Sequence, residues 1–166
     1  LDLPERFVLA TVHRAENTDD PSTLAAITSA LSAIHDDLLP VVMPVHPRTA
    51  QALDKHGLEL TVTQLPPVGY LEMLWLLERA TVIATDSGGV QKEAFFFGKP
   101  CITLRSSTEW TELVDAGVNV LVGSNPGRIV SAAEEAIRRG VPNATDLYGG
   151  GLAAQRIARH LQNEPS

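Results

Sequence analysis

Short apolar runs rich in β-branched residues alternate along this chain with longer amphipathic segments. The short runs predict strands at residues 6–12, 40–45, 58–64, 80–85, 100–104 and 118–122. The longer segments predict helices because their apolar positions recur every three to four residues, as Leu24, Ile27, Leu31 and Ile34 do. The predicted helices span residues 21–34, 49–56, 69–79, 88–97, 109–116, 126–139 and 153–161.

The order and composition of these elements predict the fold class. The strands are near-continuous apolar runs and not apolar–polar alternations, which is typical of a parallel sheet covered by helices on both faces. We therefore predict an α/β domain with a doubly wound parallel sheet. Such domains bind ligands outside the carboxyl ends of their strands, so the residues that follow each strand are the candidates for function.

Polar and basic residues follow four of the predicted strands. The basic and histidine side chains are those of His13, Arg14, His46, Arg48 and Arg105. A turn of sequence Asp-Ser-Gly-Gly, at residues 86–89, follows the fourth strand. Because the carboxyl ends of parallel strands meet at one edge of a sheet, we expect these groups to converge there.

The turn at residues 86–89 fits two different chemistries. A serine between an aspartate and two glycines resembles the nucleophile region of a chymotrypsin-like protease, but that fold is all-β. The turn also departs from the G-x-S-x-G nucleophile elbow, since Thr85 stands where the first glycine belongs. A predicted strand precedes the turn and a helix follows it. Ser87, Gly88 and Gly89 therefore predict a phosphate cradle at a helix N-terminus, with Ser87 as a binding hydroxyl.

Glu93 and Arg105 extend this predicted anion site. A carboxylate six residues after Ser87 can accept two hydroxyl groups of a ribose, and Arg105 can face the same anion. We expect Lys92 to be a solvated helix charge and Cys101 to be a small buried core residue.

Composition excludes several classes of ligand and cofactor for such a site. The 166 residues carry a formal net charge of −7, which argues against a general nucleic-acid binder and against an anionic membrane surface. No apolar run approaches the roughly 20 residues that span a bilayer. The single cysteine favours a reducing compartment and predicts a cytoplasmic protein. No Cys/His cluster has metal-ligand spacing, so we expect neither a metal nor a redox cofactor.

Five segments in order resemble the non-hydrolysing UDP-N-acetylglucosamine 2-epimerases. Residues 13–17 (HRAEN) are similar to the H-R-x-E-N segment of that family, and residues 44–47 (PVHP) to its P-V-H segment. Residues 85–94 (TDSGGVQKEA) match T-D-S-G-G-x-Q-x-E-A. Residues 98–100 and 104–109 follow at the spacing of the family, and the resemblance covers nearly the whole chain from Phe7 onwards.

The resemblance implies a glycosyltransferase-B-like fold, in which a UDP-sugar lies between two Rossmann-like halves. Residues 1–166 correspond to the carboxyl-terminal, UDP-sugar-binding half, whereas the catalytic carboxylates of the family belong to the other half. His13 is implied to be the catalytic histidine beside the leaving diphosphate. The implied binding residues are Ser87, Gly88, Gly89, Glu93 and Arg105 for the diphosphate and ribose, Met73 near the uracil, and Arg14 and His46 for a second, regulatory UDP-sugar.

The reaction implied by the resemblance inverts C2 of UDP-N-acetylglucosamine to give UDP-N-acetylmannosamine. UDP is eliminated to leave a 2-acetamidoglucal and then returns with a proton on the opposite face. The resemblance also implies a role in cell-surface polysaccharide biosynthesis, a UDP-sugar as the partner, and a homodimer as the common assembly.

At two places the sequence departs from the family pattern, so the resemblance does not determine which UDP-sugar is the substrate. Residues 108–112 read TEWTE where many members read T-E-R-P-E, and this form is similar to members that act on UDP-2,3-diacetamido-glucuronic acid. The stretch Gly149–Gly151 lacks the acid of the family's G-D-G. There are two competing hypotheses. The chain could be a module that binds a UDP-sugar without turnover, or it could be half of a glycosyltransferase. The H-R-x-E-N and Ser-Gly-Gly segments argue against the glycosyltransferase.

Overall fold

The computed structural model describes residues 3–141 and 147–162. Within these residues the strands are β1 (Val8–Thr11), β2 (Val41–Pro44), β3 (Thr63–Leu65), β4 (Val82–Thr85), β5 (Cys101–Thr103) and β6 (Asn119–Leu121). The helices are α1 (Ala15–Thr18), α2 (Pro21–Asp37), α3 (Pro47–His56), α4 (Tyr70–Arg79), α5 (Gly88–Phe96), α6 (Thr111–Asp115), α7 (Pro126–Arg139) and α8 (Ala153–Gln162). A 3-10 turn spans Gly149–Gly151. None of the helices in these ranges is both long and apolar enough to cross a membrane.

The strands form one parallel sheet in the order β3-β2-β1-β4-β5-β6. β1 and β4 lie side by side, in register from Val8 opposite Val82 to Thr11 opposite Thr85. From β1 the chain winds to one edge of the sheet and from β4 it winds to the other, so the switch point lies between the carboxyl ends of these two strands. The predicted doubly wound, Rossmann-like fold is confirmed.

Helices cover both faces of the sheet with two separate apolar cores. On one face α2, α3 and α7 pack against the strands, and the buried side chains include Leu24, Ile27, Leu31, Leu53, Ile129, Val8, Ala10 and Val82. On the other face α4 and α5 supply Leu76, Leu77, Val90 and Ala94, which pack with Leu9, Val42 and Ile83. Because successive strand residues point to opposite faces, both faces require apolar side chains, and this explains the near-continuous apolar runs. Each fully buried large side chain contributes roughly 1.5–3 kcal/mol.

Capping residues define where several helices begin and end. Asp20 accepts a hydrogen bond from the N–H of Thr23 at 2.7 Å, and Asn125 accepts one from the N–H of Arg128 at 3.0 Å. In both cases a proline follows at the first helical position. Gly57 ends α3 with a φ of 62°, a left-handed conformation that favours glycine.

The structure extends two predicted helices, to Pro21–Asp37 and Pro47–His56, and it differs from the prediction at three further places. β3 covers Thr63–Leu65 and not residues 58–64, because Leu60 and Val62 are buried without strand partners and only residues 63–65 pair with the short β2. The segment after β1 contains α1, whose four residues are too few to show an apolar period. The helix predicted from residue 109 begins at residue 111, because the N–H of Trp110 donates to the hydroxyl of Thr108 at 3.2 Å.

Candidate functional site

The carboxyl ends of β1, β2 and β4 surround a cavity of about 180 Å³. The residues that line it include His13, His46, Met73 and Ser87, which are far apart in the sequence. The cavity is smaller than the roughly 300–1,000 Å³ of a typical small-molecule site, so it encloses only part of a nucleotide-sized ligand. The structure thus brings four of the predicted site residues together at the switch point.

The start of α5 presents backbone donors beside this cavity. Ser87 is the N-cap of α5, and its hydroxyl accepts from the N–H of Val90 at 3.4 Å. The N–H of Ser87 itself donates to Thr85 Oγ1 at 2.9 Å. The N–H groups of Gly88 and Gly89 have no protein acceptor among the described residues, as expected for the first turn of a helix. The anion cradle therefore rests on the two glycines, whereas Ser87 also stabilises the helix that carries them.

A network of ion pairs covers the same helix start. Arg105, whose side chain is 13% exposed, donates through Nε to Glu16 at 3.1 Å and through Nη1 to Glu109 at 2.9 Å. Arg14 Nη2 lies 3.9 Å from the other carboxylate oxygen of Glu109. A Cβ built on Gly88 would overlap that oxygen, so the carboxylate of Glu109 lies directly against the first residue of α5.

Glu109 was not predicted as a site residue. Hydrogen bonds from its own N–H and from Arg105 lower the pKa of its carboxyl, which keeps it negatively charged. A carboxylate thus lies where the sequence predicts an anion cradle, and it neutralises the arginines of that cradle. Its sequence signals were its place in the family-like segment at residues 104–109 and its position four residues after Arg105, and neither indicates a contact with Gly88.

Asp86 joins the loop after β1 to the turn after β4. Its fully buried carboxylate accepts from the N–H of Arg14 at 2.9 Å, from the N–H of His13 at 3.0 and 3.1 Å, and from Asn17 Nδ2 at 3.0 Å. Burial would raise the pKa of Asp86, but these hydrogen bonds and the His13 side chain lower it. The roles of Asp86 and Asn17 were also not predicted, because they depend on β1 and β4 being neighbours.

His13 lies between Asp86 and His46. Its Nδ1 is 3.2 Å from Asp86 Oδ1, and its ring centroid is 5.3 Å from that of His46. His46 is the N-cap of α3, with Nδ1 accepting from the N–H of Arg48 at 3.1 Å. Both histidines line the cavity between the carboxyl ends of the strands.

Some predicted groups lie elsewhere. Glu93 is partly exposed on α5 outside the cavity lining, without a side-chain partner among the described residues. The expectation that Arg48 joins the other groups is wrong, because it donates to Thr18 Oγ1 at 2.8 Å and pairs with Asp19 at 2.6 Å, beside a different cavity. Cys101 is buried as predicted, and burial raises the pKa of its thiol to about 12.

The prediction that Lys92 is a solvated charge is wrong. Its Nζ lies 4.3 Å from the ring centroid of Trp110 and 4.4 Å from that of Tyr148. Tyr148 in turn donates its hydroxyl to Glu112 at 2.7 Å. This cluster joins the segment before α8 to α5 and α6.

Comparison with known proteins identifies relatives along almost the whole chain. The family model for UDP-N-acetylglucosamine 2-epimerase matches residues 2–162. A UDP-2,3-diacetamido-2,3-dideoxy-D-glucuronate 2-epimerase from Pseudomonas aeruginosa is 55% identical over 155 residues, which are 93% of this chain and 44% of that protein.

Solved structures agree with this result. The UDP-GlcNAc 2-epimerase of Methanocaldococcus jannaschii, in complex with UDP-GlcNAc and UDP, is 36% identical with a TM-score of 0.84, over 96% of this chain and 46% of that one. The glycotransferase of kitacinnamycin, 18% identical with a TM-score of 0.58 over 95% of this chain and 39% of that one, shares the fold. The chain thus spans less than half the length of each of these proteins.

Proposed function

Because this chain belongs to the UDP-N-acetylglucosamine 2-epimerase family, we propose that it is the UDP-binding half of an isomerase that interconverts UDP-N-acetylglucosamine and UDP-N-acetylmannosamine. One observation carries the proposal: the cavity at the switch point brings His13 next to the N-terminus of α5, which offers two unpaired backbone N–H groups. A proton donor beside an anion cradle is what departure of a diphosphate requires.

In this proposal the diphosphate lies at the start of α5. The N–H groups of Gly88 and Gly89 and the positive end of the helix bind its oxygens. Arg105 and Arg14 are close enough to the same helix start to add charge, since both contact the carboxylate that lies against Gly88. Met73 and His46 line the cavity beside His13, where they contact the rest of the nucleotide or a second UDP-sugar. Glu93, further along α5, binds the ribose hydroxyls.

The chemistry of this half is the departure and return of UDP. In the forward step a base removes the proton from C2, a double bond forms between C1 and C2, and the bond between C1 and the diphosphate oxygen breaks. His13 donates its proton to that oxygen, and the cradle stabilises the remaining negative charge. We assign the base at C2 to the part of the enzyme outside this chain.

A second candidate substrate is UDP-2,3-diacetamido-glucuronic acid. The 55% identity to the Pseudomonas aeruginosa enzyme and the T-E-W form of residues 108–110 favour it. Both candidates share UDP and the 2-acetamido group, so the cradle and His13 would act in the same way on either. Epimerisation of the two nucleotide sugars by the whole enzyme, followed by NMR in parallel, therefore compares them.

Calorimetric titration of the chain with UDP tests the proposal. We expect a dissociation constant between tens of micromolar and about a millimolar, or roughly −4 to −6 kcal/mol. Uridine serves as the control that lacks the diphosphate and should bind more weakly. A folded chain that does not bind UDP at millimolar concentration would contradict the proposal. Incubation with UDP-N-acetylglucosamine, followed by NMR detection of the C2 epimer, separates an enzyme from a module that only binds.

The same proposal also covers the binding unit, the assembly, the use of the product and the compartment. Residues 1–166 act as one UDP-sugar-binding unit, and two copies of the whole enzyme associate as a homodimer. The product supplies cell-surface polysaccharides. The reaction takes place in the cytoplasm, which the single cysteine, buried and without a disulfide, supports.

A further inference from the structure

Asp86 is a buried carboxylate with an unequal set of donors on its two oxygens. Oδ2 accepts from the N–H of His13, the N–H of Arg14 and Asn17 Nδ2, at 2.9–3.0 Å. Oδ1 faces the N–H of His13 at 3.1 Å and the ring nitrogen Nδ1 of His13 at 3.2 Å. Asn17 is itself held by a second bond from Nδ2 to the carbonyl of Leu104 at 2.9 Å.

These contacts determine which nitrogen of His13 carries the proton. A carboxylate oxygen can only accept, so an unprotonated Nδ1 would bring two lone pairs within 3.2 Å of each other, and we assign the neutral ring as the Nδ1–H tautomer. Nε2 then has no hydrogen on the neutral ring and no partner among the described residues, and it is the atom that exchanges a proton with a bound group. The ring of His46, tilted by 36° beside that of His13, must instead carry its proton on Nε2 when neutral, because its Nδ1 accepts from the N–H of Arg48.

We propose that Asp86 is a positioning residue that holds His13 in the Nδ1–H tautomer and aims Nε2 at the departing oxygen of the diphosphate. The assignment of the departing oxygen rests on the proposed function, whereas the tautomer follows from the contacts alone. When Nε2 has taken up a proton, the ring is positively charged and Asp86 stabilises that charge at 3.2 Å. As UDP leaves, the Nε2–H bond breaks and an O–H bond forms on the diphosphate.

A purely structural role for Asp86 is the alternative, since the same carboxylate ties two loops together. The two roles differ in what they predict for the ring of His13. A structural anchor requires only the bonds to the backbone and to Asn17. A positioning residue also determines the tautomer of the ring, and this is measurable without turnover.

Long-range ¹H–¹⁵N correlation spectra of the ¹⁵N-labelled chain measure the tautomers directly. We expect neutral His13 as Nδ1–H, and neutral His46 and His35 as Nε2–H, because Nδ1 of His35 also accepts a backbone N–H, that of Val41, at 3.0 Å. His13→Gln and His46→Gln assign the signals. An Nε2–H tautomer at His13 in the unmodified chain would overturn the proposal, whatever any variant does.

Asp86→Asn gives a second test, because it should reverse the tautomer of His13. The amide oxygen should take the place of Oδ2, where three donors converge, and the NH₂ group should then face Nδ1 of His13 and donate to it. We therefore expect His13 to switch to the Nε2–H tautomer, while His46 keeps its own. A folded variant in which His13 remains Nδ1–H would show that Asp86 does not control the tautomer.

The link to ligand binding is tested by calorimetry in two buffers of different ionisation enthalpy. The titratable groups against the ring are Asp86 and His46, whereas the side chain of the adjacent Arg14 lies near Glu109. We expect UDP binding by the unmodified chain to take up a proton, His35→Gln, outside the cavity, to retain this uptake, and His13→Gln and Asp86→Asn to lose it. Asp86→Asn should weaken UDP binding roughly tenfold, as for the loss of one charge-assisted contact. UDP binding without proton uptake contradicts the ring's role while leaving the proposed function intact, whereas no UDP binding contradicts the proposed function.

Discussion

The carboxylate of Glu109 lies against the backbone of Gly88, at the point where α5 begins. It also holds Arg105 at 2.9 Å and lies 3.9 Å from Arg14. A bound diphosphate would have to share this place with a negative charge of the protein. We expect the arginines to exchange Glu109 for phosphate oxygens when UDP binds.

Replacement of this carboxylate should therefore strengthen UDP binding. For Glu109→Gln we expect about a three- to tenfold gain in affinity at low salt, since the competing charge is removed while the side-chain shape is kept. The gain should shrink as salt screens the charges. Calorimetry measures both effects, with Glu112→Gln as the control because Glu112 bonds Tyr148 and not the arginines. A loss of affinity in Glu109→Gln would mean that Glu109 orients Arg105 for the ligand.

Gly88→Ala should separate folding from binding. The added Cβ would overlap Glu109 Oε1, but that oxygen ends a flexible chain and can swing away, so we expect the melting temperature to stay within a few degrees. The methyl group would remain in the cradle and should weaken UDP binding at least about tenfold. Thermal melts and UDP titration of the same sample test the two parts. A variant that binds UDP normally would show that the diphosphate does not approach Gly88.

Asp86 should make the stability of the chain depend on pH in the acid range. Its folded-state pKa lies below the ordinary value near 3.9, so the folded state binds this proton less readily than the unfolded state. Its contribution is therefore complete above about pH 4 and is lost as pH falls through the lower folded-state value. Urea unfolding from pH 6 to pH 2.5 should show Asp86→Asn less stable by roughly 2–3 kcal/mol at pH 6, with a smaller difference at low pH. A difference that is constant with pH would contradict this account.

Lys92 should contribute to stability through its two aromatic neighbours. We expect Lys92→Ala to cost about 1 kcal/mol, because the ammonium group lies over the rings of Trp110 and Tyr148 at 4.3 and 4.4 Å. Lys99→Ala is the matched control, since no aromatic ring covers that side chain among the described residues, and it should change the free energy of unfolding little. Equal effects of the two substitutions in urea titrations would restore the prediction of a solvated charge at position 92.

Much of the fold could be predicted because its signals are local. The apolar period of α2, the cap at Asp20 and the glycine after α3 each act within one segment. The parallel sheet followed from the continuous apolar strands, and the short motifs after the strands indicated the family. β3 was misjudged because Leu60 and Val62 are apolar and buried without pairing, and burial alone does not distinguish a strand from a packed loop.

The sequence by itself determined the type of fold, the family and the residues at the sheet edge, since each depends on patterns within a few turns of chain. Only the tertiary structure decided which of those residues face one another. His13 meets Asp86 because β1 and β4 are neighbours, Glu109 covers Gly88 because the loop after β5 folds back, and Arg48 turns to Asp19 instead of the cavity. Strand order and loop packing depend on the sum of many distant contacts, and no short segment contains that information.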